Sequence, residues 1–236
     1  YFDFSSERYD SVKASLEVDF KKNKSLIKSE LLKKIDQALV LANQKEVSES
    51  QLEAEFLSYR KLQAEIVEAF RASISEVVLN LKTGEIENFK KEQNSHRSKF
   101  NERIKDKDKF KERMLEGFEK NMKSFFDEVT DEQKKLYSDF VNENYNFYQE
   151  QADFRFNTID SLLASADKKN ELLERSIKFY SGDDSLKPPE FKIKQDQYFK
   201  KMYQVTQKIW ATLTDKQRSE FKKSLNDLKA EISQLK

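Results

Sequence analysis

The chain has 236 residues, and its 44 Lys and Arg side chains nearly balance 43 Asp and Glu, which excludes the overall basic field that draws many proteins to nucleic acids. It contains no cysteine, which excludes disulfides, thiol catalysis and thiolate metal sites. Only 3 glycines and 2 prolines are present while 37% of the residues are charged, and this composition favours long helices over strands and tight turns.

Three segments have the spacing of a capping box, in which a hydroxyl residue is followed three positions later by Gln. They are Val47-Ser48-Glu49-Ser50-Gln51, Val129-Thr130-Asp131-Glu132-Gln133 and Leu213-Thr214-Asp215-Lys216-Gln217. The hydroxyl accepts from a backbone N–H of the first turn, and the Gln side chain accepts from the N–H of the capping residue. The six predicted capping residues are therefore Ser48, Gln51, Thr130, Gln133, Thr214 and Gln217. A looser copy stands at Phe4-Ser5-Ser6-Glu7-Arg8, and a weaker one at Leu81-Lys82-Thr83-Gly84-Glu85.

Apolar stripes at helical spacing between these starts predict an all-α fold with about six long antiparallel helices. The predicted helices cover residues 6–42, 48–81, 85–128 and 130–163, followed by a helix through positions 198–209 and a last helix from 214. A separate short helix is predicted at about 165–180, before the loop at 181–189 that holds both prolines. Because hydrophobic residues make up only 37% of the chain, we expect a thin, aromatic-rich core and an elongated bundle. We predict one domain over residues 1–236, with sub-lobes 1–128 and 129–236 as an alternative.

The stretch from Asn88 to Arg113 is nearly devoid of apolar residues except Phe89, Phe100, Ile104 and Phe110. We expect it to pack on no more than one narrow face, and either to project past the rest of the body or to lie as an exposed arm. It contains the only histidine, His96, for which exposure on the helix is the expected state.

The residues offer little for catalysis. A single His cannot supply a transition-metal site with no cysteine beside it, and three scattered glycines cannot build a phosphate loop. We therefore predict that the protein is not an enzyme and binds no cofactor, metal or nucleic acid.

Aromatic residues crowd the segment after Thr130, and their spacing does not fit one helix face, since Tyr145 and Phe147 lie about 200° apart around a helix. Packing in the core is the more common role for such rings. The alternative is a surface that binds a protein or peptide partner, formed by Tyr137, Tyr145, Phe147 and Tyr148.

The segments at 129–133 and 213–217 resemble the LTxxQ motif of the periplasmic Spy and CpxP proteins. The whole layout is more similar to a family of uncharacterised bacterial helical lipoproteins. That family opens on an aromatic–Asp–Leu–hydroxyl–x–x–Gln motif, similar to Tyr1 to Arg8 here, and has a polar middle helix similar to Leu81–Arg103. This chain departs from the pattern in two places: Arg8 replaces the Gln, and Phe20 to Lys24 stands where the family has Trp-His-Arg.

The resemblance implies a lipid-anchored protein on the periplasmic side of the bacterial envelope, in the outer membrane rather than the inner, with its anchor upstream of Tyr1. The resulting hypothesis is a non-catalytic envelope lipoprotein domain that binds protein or peptide partners in a chaperone-like way. The alternative is a structural spacer or assembly scaffold, dimeric through the apolar seam of the last helix from Phe221 to Leu235.

Overall fold

The computed structural model describes residues 2–234, so Tyr1 of the opening motif and Leu235 of the predicted seam lie outside the described residues. The all-α class is confirmed. The helices are α1 (Ser6–Ala42), α2 (Glu49–Ala69), α3 (Arg71–Leu79), α4 (Thr83–Lys105), α5 (Lys107–Phe126), α6 (Asp131–Glu143), α7 (Tyr145–Ala164), α8 (Lys169–Ser181), α9 (Pro189–Ala211) and α10 (Asp215–Gln234), with a 3-10 turn at Asp184–Leu186.

The prediction of about six long helices was wrong in number, because residues 2–234 form ten. Three of the predicted helices are each broken at one residue: Phe70, Asp106 or Asn144. Asp106 has extended backbone angles, and its carboxylate caps α5 by accepting from the N–H of Lys109 at 3.1 Å. Asn144 has φ −107° and ψ 13°, and its side-chain amide donates to the carbonyl of Phe140 at 2.7 Å. The breaks at Asp106 and Asn144 therefore each have a local polar cause.

The described residues form two compact units. Unit one comprises the residues up to Ser25 together with Arg60–Arg103 and Gln149–Lys192. Unit two comprises Leu26–Tyr59, Ile104–Tyr148 and the residues from Ile193 onward. Each unit draws on three separate stretches of chain, so neither coincides with the predicted sub-lobes 1–128 and 129–236. That the chain is a single domain stays a prediction.

In unit one, α3 packs against α8. The buried side chains at this contact are all aliphatic: Val78, Leu162, Leu172, Leu173 and Ile177.

The unit-one part of the polar helix α4 also packs on α7, through one narrow stripe. The guanidinium of Arg97 lies 2.6 Å from the carboxylate of Asp160 and over the ring of Phe156. Phe100 meets the same ring edge-on. This part of the polar stretch therefore packs on one narrow face, as predicted, because a few large side chains suffice to hold a helix that is otherwise polar.

In unit two, α5 packs against both α6 and α10. The rings of Phe126 and Phe221 stack with their centroids 4.6 Å apart. Leu225 of α10 is buried against Ile35 and Ala42 of α1, and Phe221 and Ile232 pack on the same cluster. The apolar seam of the last helix, predicted as a dimer contact, is thus largely used within unit two.

Candidate binding cavity

The cavity of unit one begins with the break between α2 and α3. Phe70, at the break, has no side chain that could cap the new helix. The cap comes instead from α1, where the buried carboxylate of Asp19 accepts from the N–H and the hydroxyl of Ser73 at 2.8 and 2.6 Å. One turn further along α1, the side-chain amide of Asn23 donates to the carbonyl of Ala69 at 2.7 Å. Two polar residues of α1 thus satisfy both helix ends, and the chain can bend at Phe70.

The bend leaves an apolar cavity of about 290 Å³ inside unit one. Its walls come from five helices and from the segment before α1, and almost all of the lining side chains are aliphatic or aromatic. The lining residues are Phe2, Val12, Leu16, Phe70, Ser73, Ile74, Val77, Val78, Leu81, Phe89, Ile159, Leu162, Leu163, Leu172, Ser176, Phe179 and Tyr180. A concave space with this lining is the usual form of a site for an apolar ligand or side chain.

The cavity reaches the surface at an apolar rim. Leu16 and Tyr180 line it and are nevertheless 44% and 55% exposed. Tyr9 and Phe20 are also exposed, and with Val12 and Leu16 they recur every three or four residues along α1. Residues at that spacing lie on one face of a helix. An exposed apolar stripe therefore continues from the mouth of the cavity along α1.

Two serines are the polar side chains of the deeper wall. The hydroxyl of Ser73 is already bonded to Asp19. Ser176 is only 7% exposed, and within the described residues 2–234 its hydroxyl has no hydrogen-bond partner. Its oxygen is not fully enclosed, since among residues 2–234 the completely buried side-chain polar atom without a hydrogen bond is the Nε of Arg8, and the hydroxyl of Ser176 is open to the cavity that it lines. Ser176 is therefore a polar group without a partner in an apolar wall.

The segment before α1 covers one side of the cavity. The ring of Phe2 stacks between Phe4 and Phe89, with centroid distances of 5.2 and 4.6 Å. The segment is held by Arg8, whose guanidinium donates to Glu76 and to the carbonyl of Val77. The guanidinium also donates to the carbonyl of Glu76. The carbonyls of Glu76 and Val77 belong to the last turn of α3, where a cation is favourable.

The six predicted capping residues lie in unit two, and each pair forms the two reciprocal hydrogen bonds of a capping box. The bonds join Ser48 with Gln51, Thr130 with Gln133, and Thr214 with Gln217, at 2.8–3.3 Å.

Two of these glutamines also bond to each other. The Nε2 of Gln133 donates to the Oε1 of Gln217, and the Nε2 of Gln217 donates to the Oε1 of Gln133, both at 3.0 Å. Both side chains are completely buried. The two LTxxQ segments are thus joined inside unit two by a buried amide pair, and the two glutamine side chains present no surface to a partner.

The four aromatic residues predicted as a partner surface also lie in unit two, where all of them contact other rings. Phe147 is buried and stacks on Tyr198. Tyr137 stacks on Phe118, while Tyr145 and Tyr148 pack on Phe110. Burial raises the pKa of Tyr137 to about 12 and that of Tyr148 further above its ordinary value of 10.0. This arrangement fits the core-packing alternative, with Phe147 buried and the three tyrosines half-buried. That these four residues form a partner surface stays a prediction.

The sequence analysis missed the cavity residues. One signal was readable: Ser176 lies four positions after Leu172 and one before Ile177, in the apolar stripe of α8. His96, by contrast, lies on the exposed side of α4 as expected.

Within residues 2–234, no cluster of three or more His, Asp or Glu side chains has the arrangement of a metal site. The described helices include none long and apolar enough to cross a membrane. No protein-family model, curated protein or solved structure matches the chain. The likeness to the lipoprotein family and to Spy and CpxP therefore rests on the sequence motifs alone.

Proposed function

We propose that this protein is a non-catalytic helical binding protein of the bacterial envelope, and that it takes an apolar side chain of a protein or peptide partner into the cavity of unit one. The observation that carries the proposal is the open apolar cavity whose rim residues Leu16 and Tyr180 are exposed. The stripe formed by Tyr9, Leu16 and Phe20 would contact the partner chain on either side of the inserted side chain. Contiguous exposed apolar surface of this kind is typical of protein interaction sites.

A chaperone-like role follows from the same surface, because unfolded chains expose the side chains that such a cavity takes. The LTxxQ likeness to Spy and CpxP and the lipoprotein-like layout support the envelope location. The scaffold alternative has less support, since the seam of α10 packs within unit two.

The test is suppression of the aggregation of reduced insulin, followed by light scattering. The reductant does not affect this chain, because it has no cysteine. We expect the protein to suppress aggregation at a small molar excess. Val12→Trp, which places a large ring in the cavity wall, should abolish the effect. Val18→Trp is the matched control, because Val18 lies on the same helix, is 63% exposed and does not line the cavity.

No suppression by the native protein at a tenfold excess would overturn the proposal, as would equal activity of the Val12 and Val18 variants. The location is tested separately, by fractionating native cells grown with labelled fatty acid. A labelled protein in the outer-membrane fraction is the expected result, and an unlabelled protein in the cytosol would contradict the envelope assignment.

A further inference from the structure

We infer that the side chain taken into the cavity of unit one is aromatic and carries a hydrogen-bonding group, as tyrosine and tryptophan do, and that this group binds the hydroxyl of Ser176. The inference rests on the proposed function and specifies the partner's chemistry. It joins two independent observations: the size and lining of the cavity, and the hydroxyl of Ser176, which is open to the cavity and forms no hydrogen bond within residues 2–234.

The size and lining favour a ring. A closed apolar cavity of about 150 Å³ holds one benzene molecule. The cavity here, at about 290 Å³, has room for a larger aromatic side chain with part of its backbone. Phe70, Phe89 and Phe179 supply aromatic walls, and ring pairs contribute about 0.5–1.5 kcal/mol beyond the area that they bury. Tyrosine and tryptophan are also the residues that most often dominate a binding interface.

The hydroxyl of Ser176 then selects among aromatic side chains. A purely apolar ring such as phenylalanine would close over this hydroxyl and leave it without a partner. A tyrosine O–H or a tryptophan N–H would satisfy it, since a serine hydroxyl both donates and accepts. Sites that hydrogen-bond a ligand's polar group discriminate against the analogue that lacks it. Ser73 is less suited to this role, because its proton is already donated to Asp19 and its hydroxyl could only accept.

The ligand is a chain segment, because the apolar surface does not end at the mouth. The stripe of Tyr9, Leu16 and Phe20 extends along α1 outside the cavity. A small free aromatic molecule would fill the cavity and leave this stripe in water. A peptide covers both, with its anchor inside and its neighbouring side chains on the stripe.

The experiment compares three fluorescein-labelled peptides that differ only at a central Tyr, Trp or Phe, by fluorescence anisotropy. A net hydrogen bond of about 0.5–1.5 kcal/mol corresponds to a preference of roughly 2- to 10-fold for Tyr and Trp over Phe. Ser176→Ala should remove this preference by weakening Tyr and Trp binding, while Phe binding stays equal or improves. Alanine is favourable within a helix, so the variant is expected to fold. Ser181→Ala, also in α8 but outside the cavity lining, should keep the preference.

Each outcome decides a different point. Equal binding of the three peptides by the native protein, abolished by Val12→Trp, would overturn the inference and leave the proposed function standing. A Tyr preference that survives Ser176→Ala would also overturn it. Binding of none of the peptides, together with displacement of a naphthylamine probe by decanoic acid, would indicate an acyl ligand and overturn both proposals.

Discussion

The paired amides of Gln133 and Gln217 make a quantitative prediction for unit two. Gln133→Met keeps the length of the side chain and removes its polar atoms. It abolishes the bond to the N–H of Thr130 and both bonds to Gln217, which are the three short bonds of this side chain; the fourth, to the carbonyl of Thr212, is 3.5 Å long and contributes little. At about 1 kcal/mol for each bond, the free energy of unfolding should fall by about 3 kcal/mol. Gln217→Met loses in addition the bond to the carbonyl of Glu128, so we expect a decrease of about 4 kcal/mol.

The double variant Gln133→Met with Gln217→Met tests whether the two glutamines stabilise the fold as a pair or as two independent caps. The two bonds between the amides are lost in each single variant but only once in the double variant. The double variant should therefore lose about 5 kcal/mol where simple addition gives about 7, a coupling of about 2 kcal/mol. The assay is urea denaturation followed by the fluorescence of Trp210, the one tryptophan of the chain and a residue of unit two. Gln51→Met is the control, since Gln51 caps α2 and donates to Gln44, which caps no helix; the loss of these two bonds should cost about 2 kcal/mol. A coupling energy within about 0.5 kcal/mol of zero would refute the reasoning.

Three further predictions concern the helix ends and the buried tyrosines. Asp19→Ala should lower the unfolding free energy by about 2–4 kcal/mol in urea denaturation followed by circular dichroism, because it leaves two buried donors at the start of α3 unpaired; an unchanged midpoint would contradict the capping role. Gly182→Ala should destabilise by roughly 1 kcal/mol, because this residue ends α8 at φ +73°, whereas Gly117→Ala, inside α5 with open space around its Cα, should stabilise by a similar amount. Reversed signs in thermal denaturation would exclude this account. Since burial raises the pKa of Tyr137 to about 12 and raises that of Tyr148 as well, the stability held by their protonated forms is complete below pH 10 and lost as the pH rises through 12. Replacing both tyrosines by Phe should reduce the loss of folded protein between pH 10 and pH 12, as followed by the fluorescence of Trp210. An unchanged pH profile would argue against buried phenol groups.

The helix starts were the most predictable part of the fold. The bounds 6–42 agree with α1, and α6 and α10 begin directly after Thr130 and Thr214. A capping box acts within four residues, so its signal is present in the local sequence. The break at Phe70 could not be predicted in this way. The residues that satisfy the two helix ends, Asp19 and Asn23, lie 54 and 46 positions away from their partners. Without that contact, a continuous helix is the better local solution.

The candidate site was harder to predict because a cavity has no sequence pattern of its own. Apolar stripes on α1, α3 and α8 indicate buried faces. The sequence pattern is the same whether those faces pack together fully or leave a cavity between them. The aromatic residues of α6 and α7 were predicted as a possible partner surface because they lie close together in the sequence. In unit two, however, these rings pack against other rings. The residues available for binding a ligand are those that other side chains do not fully cover, such as Leu16 at the rim of the cavity and Ser176 in its wall.

The residue three positions after each helix cap can act locally, by closing the capping box, or can also form contacts with distant parts of the chain. In Gln51 the side chain closes its own capping box, and in Gln133 and Gln217 it does so and also joins two helix starts through a buried pair. Glu85 accepts from the N–H of Lys82 and so forms one of the two bonds of a capping box, although the capping position holds Lys82 and not a hydroxyl residue. Arg8, where the lipoprotein pattern has Gln, cannot accept such a bond, and it reaches across unit one to the last turn of α3 beside the cavity wall. Arg8 therefore lies at the point where the segment carrying Phe2 is fastened over the cavity, and a substitution of Arg8 would change the wall of the proposed binding site.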